Sequence, residues 1–249
     1  DAYDKVTVTG GARPLNSIIT VGEQTALTAA AAADAVRAEK GMTSMLLGVP
    51  IAVKDNYNTV DMPTTAGCGC WNDNQTTTDA TMVTGLRADG AVILAKASMD
   101  EFAINLSSQW SAFQTPGTAL TVSSPLDTSR TSGGSSGGTG VSFSANLAAI
   151  GFGTDTGGSI RVPSTYNSLV GVRPTVGLAS RAGIVPLALS QDTGGPIARS
   201  VTDAAVALDA VVGADAADPI TANQAGKVPT SYTSYLDADS LAGKTFGYV

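Results

Sequence analysis

The sequence predicts an α/β fold with a sheet that is at least partly parallel. Segments with the pattern of strands alternate along the chain with segments typical of helices, and one strand segment is a nearly continuous apolar run. A strand buried between two helix layers has this largely apolar character. The chain has 249 residues, of which 43% are hydrophobic, and this is enough to bury a sizeable core.

The first two predicted elements lead to a lysine. The alanine-rich run over residues 25–40 is followed by Gly41, a residue type common just after a helix. Larger apolar residues then alternate with other residues over positions 49–53, which predicts a strand. Lys54 therefore falls at the C-terminal end of a strand, where open α/β sheets carry their chemistry.

Three further elements follow. Residues 79–90 begin with aspartate and end with glycine, which predicts a second helix, and residues 91–97 are the continuous apolar strand. The sequence SVTD at residues 200–203 matches a capping box with aspartate in place of glutamate. It predicts a third helix over residues 201–213.

The C-terminal part is more polar. Residues 214–234 predict an exposed connection, and KTFGYV at residues 244–249 predicts another strand. The chain shows no internal repeat and no long low-complexity linker. We therefore expect one α/β domain over residues 1–249. Because the chain starts and ends on sequence typical of a domain interior, we expect that domain to be incomplete at both ends.

Charge and hydropathy exclude two classes of partner. Only 14% of the residues are charged and the net charge is −7, so no basic face is available to bind nucleic acid directly. The longest apolar runs, such as residues 45–53, are much shorter than the roughly 20 residues that cross a bilayer. We expect a soluble protein without a membrane span, cytoplasmic by default, with a secreted or periplasmic location left open.

The content of histidine and cysteine limits the chemistry. The chain has no histidine, which removes Ser-His-Asp and Cys-His hydrolases and histidine-bound zinc. Cys68 and Cys70 are separated by one residue, a poor spacing for an unstrained mutual disulfide, so we expect free thiols. With no further soft ligand, we expect no metal and no other cofactor. A nucleophile in this chain needs a different base.

The stretch TSGGSSGGTG at residues 131–140 allows three interpretations. A flexible linker would have polar flanks, but this stretch leads into the apolar residues 141–153. A phosphate-binding P-loop needs a lysine before its last serine or threonine, and the next lysine is Lys227. We favour the third interpretation, in which a closely packed glycine backbone exposes hydroxyls and N–H groups to a reacting group.

A second glycine turn, GTDTGGSIRVPS at residues 153–164, supports this interpretation. It brings glycines next to Ser159 and gives successive N–H groups that can point into one concavity, as an acyl-transfer oxyanion requires. A buried Lys54 can lose its proton near neutral pH and serve as the base. Taken singly, a lysine at a strand end is more often an ion-pair partner and a serine in such a turn a turn residue. Their conjunction favours a serine–lysine mechanism.

Over about residues 48–219 the chain resembles the amidase signature family of serine hydrolases. The segments that carry the resemblance are GVPIAVKDN, MPTTAG, GAVILAKASMDEFA, SGGSSGG, GTDTGGSIRVPS, GVRPTVGLASRAGIVP and SQDTGGPIARSVTDAA. The resemblance implies a central mixed β-sheet covered by α-helices on both faces. It also implies hydrolysis of a carboxylic amide to an acid and ammonia or an amine through an acyl-enzyme.

The resemblance implies a Ser-Ser-Lys triad. Ser159 corresponds to the nucleophile, Ser135 to a bridging serine next to a cis peptide, and Lys54 to the neutral base. The implied oxyanion hole consists of four backbone N–H groups, those of Thr156, Gly157, Gly158 and Ser159. Asp155 and Arg161 match positions that brace this loop. Ser136 helps to fix the turn at Ser135, and a purely structural role is the favoured interpretation for it.

Two alternatives to a free-standing amidase stay open. The segment MDEFA resembles the glutaminase subunit, of A-type, in a tRNA-dependent amidotransferase, whereas SQDTGGP is more similar to free-standing amidases. An inactive, truncated amidase-like module is the other alternative. The expected substrate is a small-molecule or peptide amide. The oligomeric state also stays open, with a homodimer among the options.

Overall fold

A mixed β-sheet lies at the centre of the computed structural model, which describes Asp4, residues 13–109 and residues 122–247. The strands are β1 (Ile18–Val21), β2 (Pro50–Lys54), β3 (Val92–Ala97), β4 (Ser123–Ser124), β5 (Asp127–Thr131), β6 (Ile150–Asp155), β7 (Val170–Gly171) and β8 (Thr193–Ala198). The helices are α1 (Glu23–Lys40), α2 (Thr81–Ala88), α3 (Gly137–Ser144), α4 (Arg161–Tyr166) and α5 (Val201–Asp209). Short 3₁₀ helices cover Gly69–Trp71, Glu101–Ala103, Pro219–Gln224 and Thr233–Tyr235.

The sheet has the strand order β1-β3-β2-β6-β8-β7, and β4 and β5 form a separate hairpin. Strand β2 pairs in parallel with both β3 and β6, whereas β1, β7 and β8 pair antiparallel with their neighbours. The prediction of a central mixed sheet is therefore confirmed. Because β2 and β6 are parallel neighbours, their C-terminal ends meet at the same edge, with Val53 opposite Phe152.

Helices cover both faces of the sheet, as the resemblance implied. Alternate side chains of the central strands point to opposite faces. One face packs against α2 and α5 in a cluster that includes Ile51, Val53, Ile93, Phe152, Met82, Leu86 and Ala207. The other face packs against α3 and the start of α4 in a cluster that includes Ala52, Ala95, Ala97, Phe143 and Ile160. The α/β class is confirmed.

The three predicted helices and the first two predicted strands are present with shifted ends. The helix predicted from residue 25 begins at Glu23 and ends at Lys40, and Gly41 follows it with a φ of 77°. The capping box at Ser200 is half formed. The Ser200 hydroxyl accepts a hydrogen bond from the Asp203 N–H at 3.1 Å and donates to the Asp203 carboxylate at 2.8 Å. The second bond of a capping box, from the Ser200 N–H to this carboxylate, is not formed in the described part of the chain.

The C-terminal part differs from the prediction. Residues 214–234 are anchored in places, because the buried Gln224 amide donates to the carbonyls of Gly177 and Leu178 at 3.1 and 3.2 Å. The predicted strand at 244–249 is absent from residues 244–247, where Phe246 is 72% exposed, and residues 248–249 lie outside the described part. Within the described residues, no helix is long and apolar enough to span a membrane.

Candidate active site

Lys54 and Ser135 lie side by side in a buried site. Lys54 ends β2, and Ser135 lies in the turn before α3. The Lys54 Nζ atom is 2.7 Å from the Ser135 Oγ atom and 2.7 Å from the Thr154 Oγ1 atom near the end of β6. All three residues are buried, Lys54 and Ser135 completely. The fold therefore brings together two residues that are 81 positions apart in the sequence.

Burial changes the acid–base behaviour of Lys54. Desolvation lowers its pKa from the ordinary 10.5 to about 7, although the carboxylates of Asp100, Asp155 and Asp192 act in the opposite direction. A pKa near 7 means that a large fraction of the amine is neutral at neutral pH. A neutral amine has a lone pair that can accept the proton of the Ser135 hydroxyl at 2.7 Å.

The turn at Ser135 is held by main-chain contacts. The Gly134–Ser135 peptide bond is cis, as the resemblance implied. The Asp100 N–H donates to the Ser135 carbonyl at 3.2 Å. A Cβ atom at Gly134 would lie 2.7 Å from the Ser108 backbone nitrogen, so only glycine permits this close approach.

Ser159 lies next to this turn, between β6 and α4. It is 3% exposed, and its carbonyl accepts a hydrogen bond from the Ser136 N–H at 3.2 Å, which ties the two glycine turns together. Within the described residues, no hydrogen bond joins the hydroxyls of Ser159 and Ser135. Of the implied triad, Lys54 and Ser135 are thus in direct contact. Ser159 is connected to this pair through a backbone hydrogen bond to the neighbouring Ser136.

The four implied oxyanion donors differ in their contacts. The Gly158 N–H donates to the Asp155 carboxylate at 2.8 Å, because this side chain is directed towards the turn. The N–H groups of Thr156, Gly157 and Ser159 have no acceptor among the described residues and can serve a developing negative charge.

Asp155 contacts Arg161 and the backbone of the turn that contains Ser159. The buried Asp155 carboxylate accepts from the Ile160 N–H at 3.1 Å, the Arg161 Nε at 3.1 Å and the Arg173 Nε at 3.2 Å. Burial raises the pKa of Asp155, but the hydrogen bonds from Arg161 and the backbone outweigh it and hold the pKa below its usual value. Ser136 fits its structural interpretation, because its hydroxyl accepts from the Thr154 N–H and donates to the Thr154 carbonyl, both at 3.2 Å.

Three residues at the site were missed by the sequence analysis. Thr154 contacts the Lys54 amine directly, and the Asn56 amide donates to the same Thr154 hydroxyl at 3.1 Å. The Asp192 carboxylate accepts from the Thr156 hydroxyl and from the N–H groups of Leu187 and Ala188. Asp192 therefore connects the proposed oxyanion loop to the segment before β8.

A narrow cavity of about 10 Å³ adjoins the site. Its lining includes Asn56, Thr154, Thr156, Ile184, Val185 and Asp192. This volume holds about one water molecule. Cys68 and Cys70 are free thiols, and within the described residues no group of three or more cysteine, aspartate or glutamate side chains could hold a metal ion.

The chain is similar in sequence and in structure to proteins described as amidases and as amidotransferase subunits. The family profile described as Amidase matches residues 10–249. An Arabidopsis thaliana protein described as a probable amidase is 42% identical over 90% of this chain. The A-type subunit of the Glutamyl-tRNA(Gln) amidotransferase from Burkholderia thailandensis is 41% identical over 95% of it. The crystal structure of the peptide amidase from Stenotrophomonas maltophilia superposes with a TM-score of 0.85 at 40% identity and covers 93% of this chain.

The chain spans less than half the length of these relatives. It covers 44% of the Arabidopsis protein, 46% of the Burkholderia protein and 47% of the peptide amidase chain. The matched part contains Lys54, Ser135 and Ser159.

Proposed function

Because the chain belongs to the Amidase family, we propose that it hydrolyses a carboxylic amide to an acid and ammonia or an amine, through an acyl-enzyme on Ser159. The observation that carries this proposal is the 2.7 Å contact between the buried Lys54 amine and the Ser135 hydroxyl. A small-molecule or peptide amide is the proposed substrate, and the likeness to a peptide amidase supports the peptide option.

Acylation begins with a proton relay. The neutral Lys54 amine accepts the proton of Ser135 as Ser135 takes the proton of Ser159, and the Ser159 Oγ atom attacks the amide carbon. The C=O bond becomes a C–O⁻ group, which the N–H groups of Thr156, Gly157 and Ser159 stabilise. The tetrahedral intermediate collapses when the relay returns the proton to the leaving nitrogen, so the C–N bond breaks and the ester forms on Ser159.

Deacylation repeats the relay with water. A water molecule gives a proton to the relay and attacks the ester carbon, and the same donors stabilise the second oxyanion. The proton then returns to Ser159, which leaves as a hydroxyl and releases the acid. No net proton stays on Lys54, so the triad is regenerated.

Glutaminase activity in an amidotransferase is the second candidate. It is favoured by the relatives that are A-type amidotransferase subunits, one of which is 41% identical to this chain. A hydrolysis screen of the full-length protein with short aliphatic amides, aryl amides, amidated peptides and glutamine separates the two candidates. Turnover of simple or peptide amides by the protein alone supports the amidase. Ammonia release from glutamine that needs a partner protein supports the glutaminase.

An inactive amidase-like module is the third candidate. A fluorophosphonate probe discriminates it, because an intact relay should modify Ser159 and an inactive scaffold should not. Absence of labelling in the folded full-length protein would reject both catalytic candidates.

Ser135→Ala is expected to lower kcat/KM by about 10²-fold to 10³-fold, less than the replacement of Ser159 or Lys54. The bridge is lost in this variant, but a water molecule can occupy the space and carry the proton between the two remaining groups. Ser142→Ala is the matched control, since Ser142 is a buried serine in α3 whose hydroxyl donates only to the Gly138 carbonyl. Steady-state measurements of kcat/KM for the three serine variants compare these losses. A loss at Ser135 equal to that at Ser159 tells against the bridging role.

A further inference from the structure

A second buried lysine lies beside the site and has no part in the proposed reaction. The Nζ atom of Lys96, in β3, is 3.3 Å from the Oδ1 atom of Asp55, and both side chains are completely buried. Asp55 directly follows Lys54 in the chain. The carboxylate next to the proposed base is thus in an ion pair with another cation.

Both members of the pair make further contacts. Besides its ion-pair contact with Asp55, the Lys96 ammonium donates to the Pro63 carbonyl at 3.0 Å and to the Thr64 hydroxyl at 3.1 Å. The other oxygen of Asp55 accepts from the Thr65 hydroxyl, the Thr65 N–H and the Gly67 N–H. These contacts fix Asp55 and Lys96 to the loop over residues 63–67.

The sheet separates the two lysines. Val53 and Lys96 are partners in the parallel pairing of β2 and β3, and Lys54 is the partner of Ala97. Partners in a sheet point to the same face and successive residues to opposite faces. Lys96 therefore leaves the sheet on the face of Val53, together with Asp55. The Lys54 side chain leaves the sheet on the opposite face. Helix α3 and the turn that contains Ser135 lie on that face.

An ion pair at this depth calls for an explanation other than stability. Burial raises the pKa of Asp55 and lowers that of Lys96, and the attraction between them opposes both shifts. Apolar residues of similar volume usually stabilise a core as well as a buried ion pair does. The carboxylates that raise the pKa of Lys54 most, against the effect of burial, are those of Asp100, Asp155 and Asp192.

We propose that Lys96 is a positioning residue for the base: by holding Asp55 in an ion pair on the other face of β2, it keeps this carboxylate from pairing with Lys54. This inference rests on the proposed function. Among the described residues, Lys96 is the one cation in an ion pair with Asp55, and Lys54 directly precedes Asp55 in the chain. Pairing with Asp55 would hold Lys54 in its protonated form and turn its amine from Ser135.

The test is the pH dependence of fluorophosphonate labelling of Ser159 in the full-length protein. We define the acid limb as the pH range over which the labelling rate rises as Lys54 loses its proton. Lys96→Met is expected to move this acid limb to higher pH by about one unit, because the negative charge of Asp55 favours the protonated Lys54 amine. The double variant Asp55→Asn/Lys96→Met lacks the competing carboxylate and should restore the wild-type limb. Lys96→Gln, which retains a donor for the Pro63 carbonyl, replaces Lys96→Met if that variant does not fold.

Arg87→Met is the matched control. It breaks an ion-pair cluster with Asp61 and Asp79, which are the other carboxylates that act on Lys96, without touching Asp55 or Lys54. It should lower the melting temperature and leave the acid limb in place. If the Lys96 variants lose stability but retain the wild-type limb, or if the double variant has the raised limb, the inference is wrong. If the wild-type protein itself does not label, the proposed function fails instead.

Discussion

Replacing Ser159 with alanine is expected to abolish amide hydrolysis and fluorophosphonate labelling, with a loss in kcat/KM on the order of 10⁴-fold or more. The reason is that the acyl-enzyme cannot form without the Ser159 oxygen, and any residual rate must come from the oxyanion donors alone. The Ser159 hydroxyl makes no hydrogen bond within the described residues, so the variant should fold with nearly unchanged stability. Kinetics and intact-protein mass spectrometry after labelling measure both effects.

Ser164→Ala is the control for Ser159→Ala. Ser164 is also 3% exposed and lies five residues further on, but its hydroxyl donates to the Ile160 carbonyl inside α4. This variant should label at the wild-type rate. Covalent labelling that persists in Ser159→Ala would assign the nucleophile to another residue.

Lys54→Met is the second change with a large expected effect. It retains a side chain of similar length but removes the base, and hydrolysis should fall by roughly 10³-fold to 10⁴-fold. Both hydroxyls that contact the amine, those of Ser135 and Thr154, stay in place. The loss should appear in kcat, with KM little changed, because Lys54 contacts Ser135 and Thr154 and acts in the chemical step.

Lys54→Met should also change how stability depends on pH. The pKa of Lys54 is about 7 in the folded protein and 10.5 when exposed, so the unfolded state binds the proton more tightly. In the wild-type protein, the free energy of unfolding should therefore increase as the pH rises from about 7 towards 10.5. Below about pH 7, Lys54 is protonated in both states and this increase is absent. Lys54→Met has no amine to desolvate, so its free energy of unfolding should lack this pH dependence. Urea unfolding should therefore show the largest advantage of Lys54→Met over the wild-type protein at neutral and acid pH, and a smaller one at alkaline pH. A relative stability that is independent of pH would show that Lys54 is not desolvated.

Local signals indicate only part of the candidate site. Lys54 stands out because a strand pattern ends on it, and Ser159 because it lies in a second glycine turn. The glycine stretch over residues 131–140 stands out because it leads into buried sequence and is neither a linker nor a P-loop. The role of Ser135 within that stretch was implied only by the family resemblance. Three helices, α1, α2 and α5, were predicted from local signals as well, since alanine content, capping residues and terminal glycines are properties of the segment itself. Helices α3 and α4, which follow the two glycine turns, were not predicted.

Features that depend on pairing and side-chain direction were not predictable. Thr154 contacts Lys54 only because β2 and β6 pair in parallel, with Val53 opposite Phe152, a register that neither segment reveals. Strand β8 was not predicted, because its sequence, TGGPIA, contains two glycines and a proline, residues that are depleted in strands. The hydrogen bond from the Gly158 N–H to the Asp155 carboxylate also depends on side-chain direction, which the sequence does not show.

The identity of the base is tested most directly by the pH dependence of Ser159 labelling in wild-type protein and in Lys54→Met. The wild-type rate should rise with pH along a single titration with a pKa near 7, and the variant should label slowly and without this titration. A wild-type rate that falls between neutral and mildly alkaline pH in folded protein, or a variant that retains the same titration, would contradict a neutral Lys54 as the base.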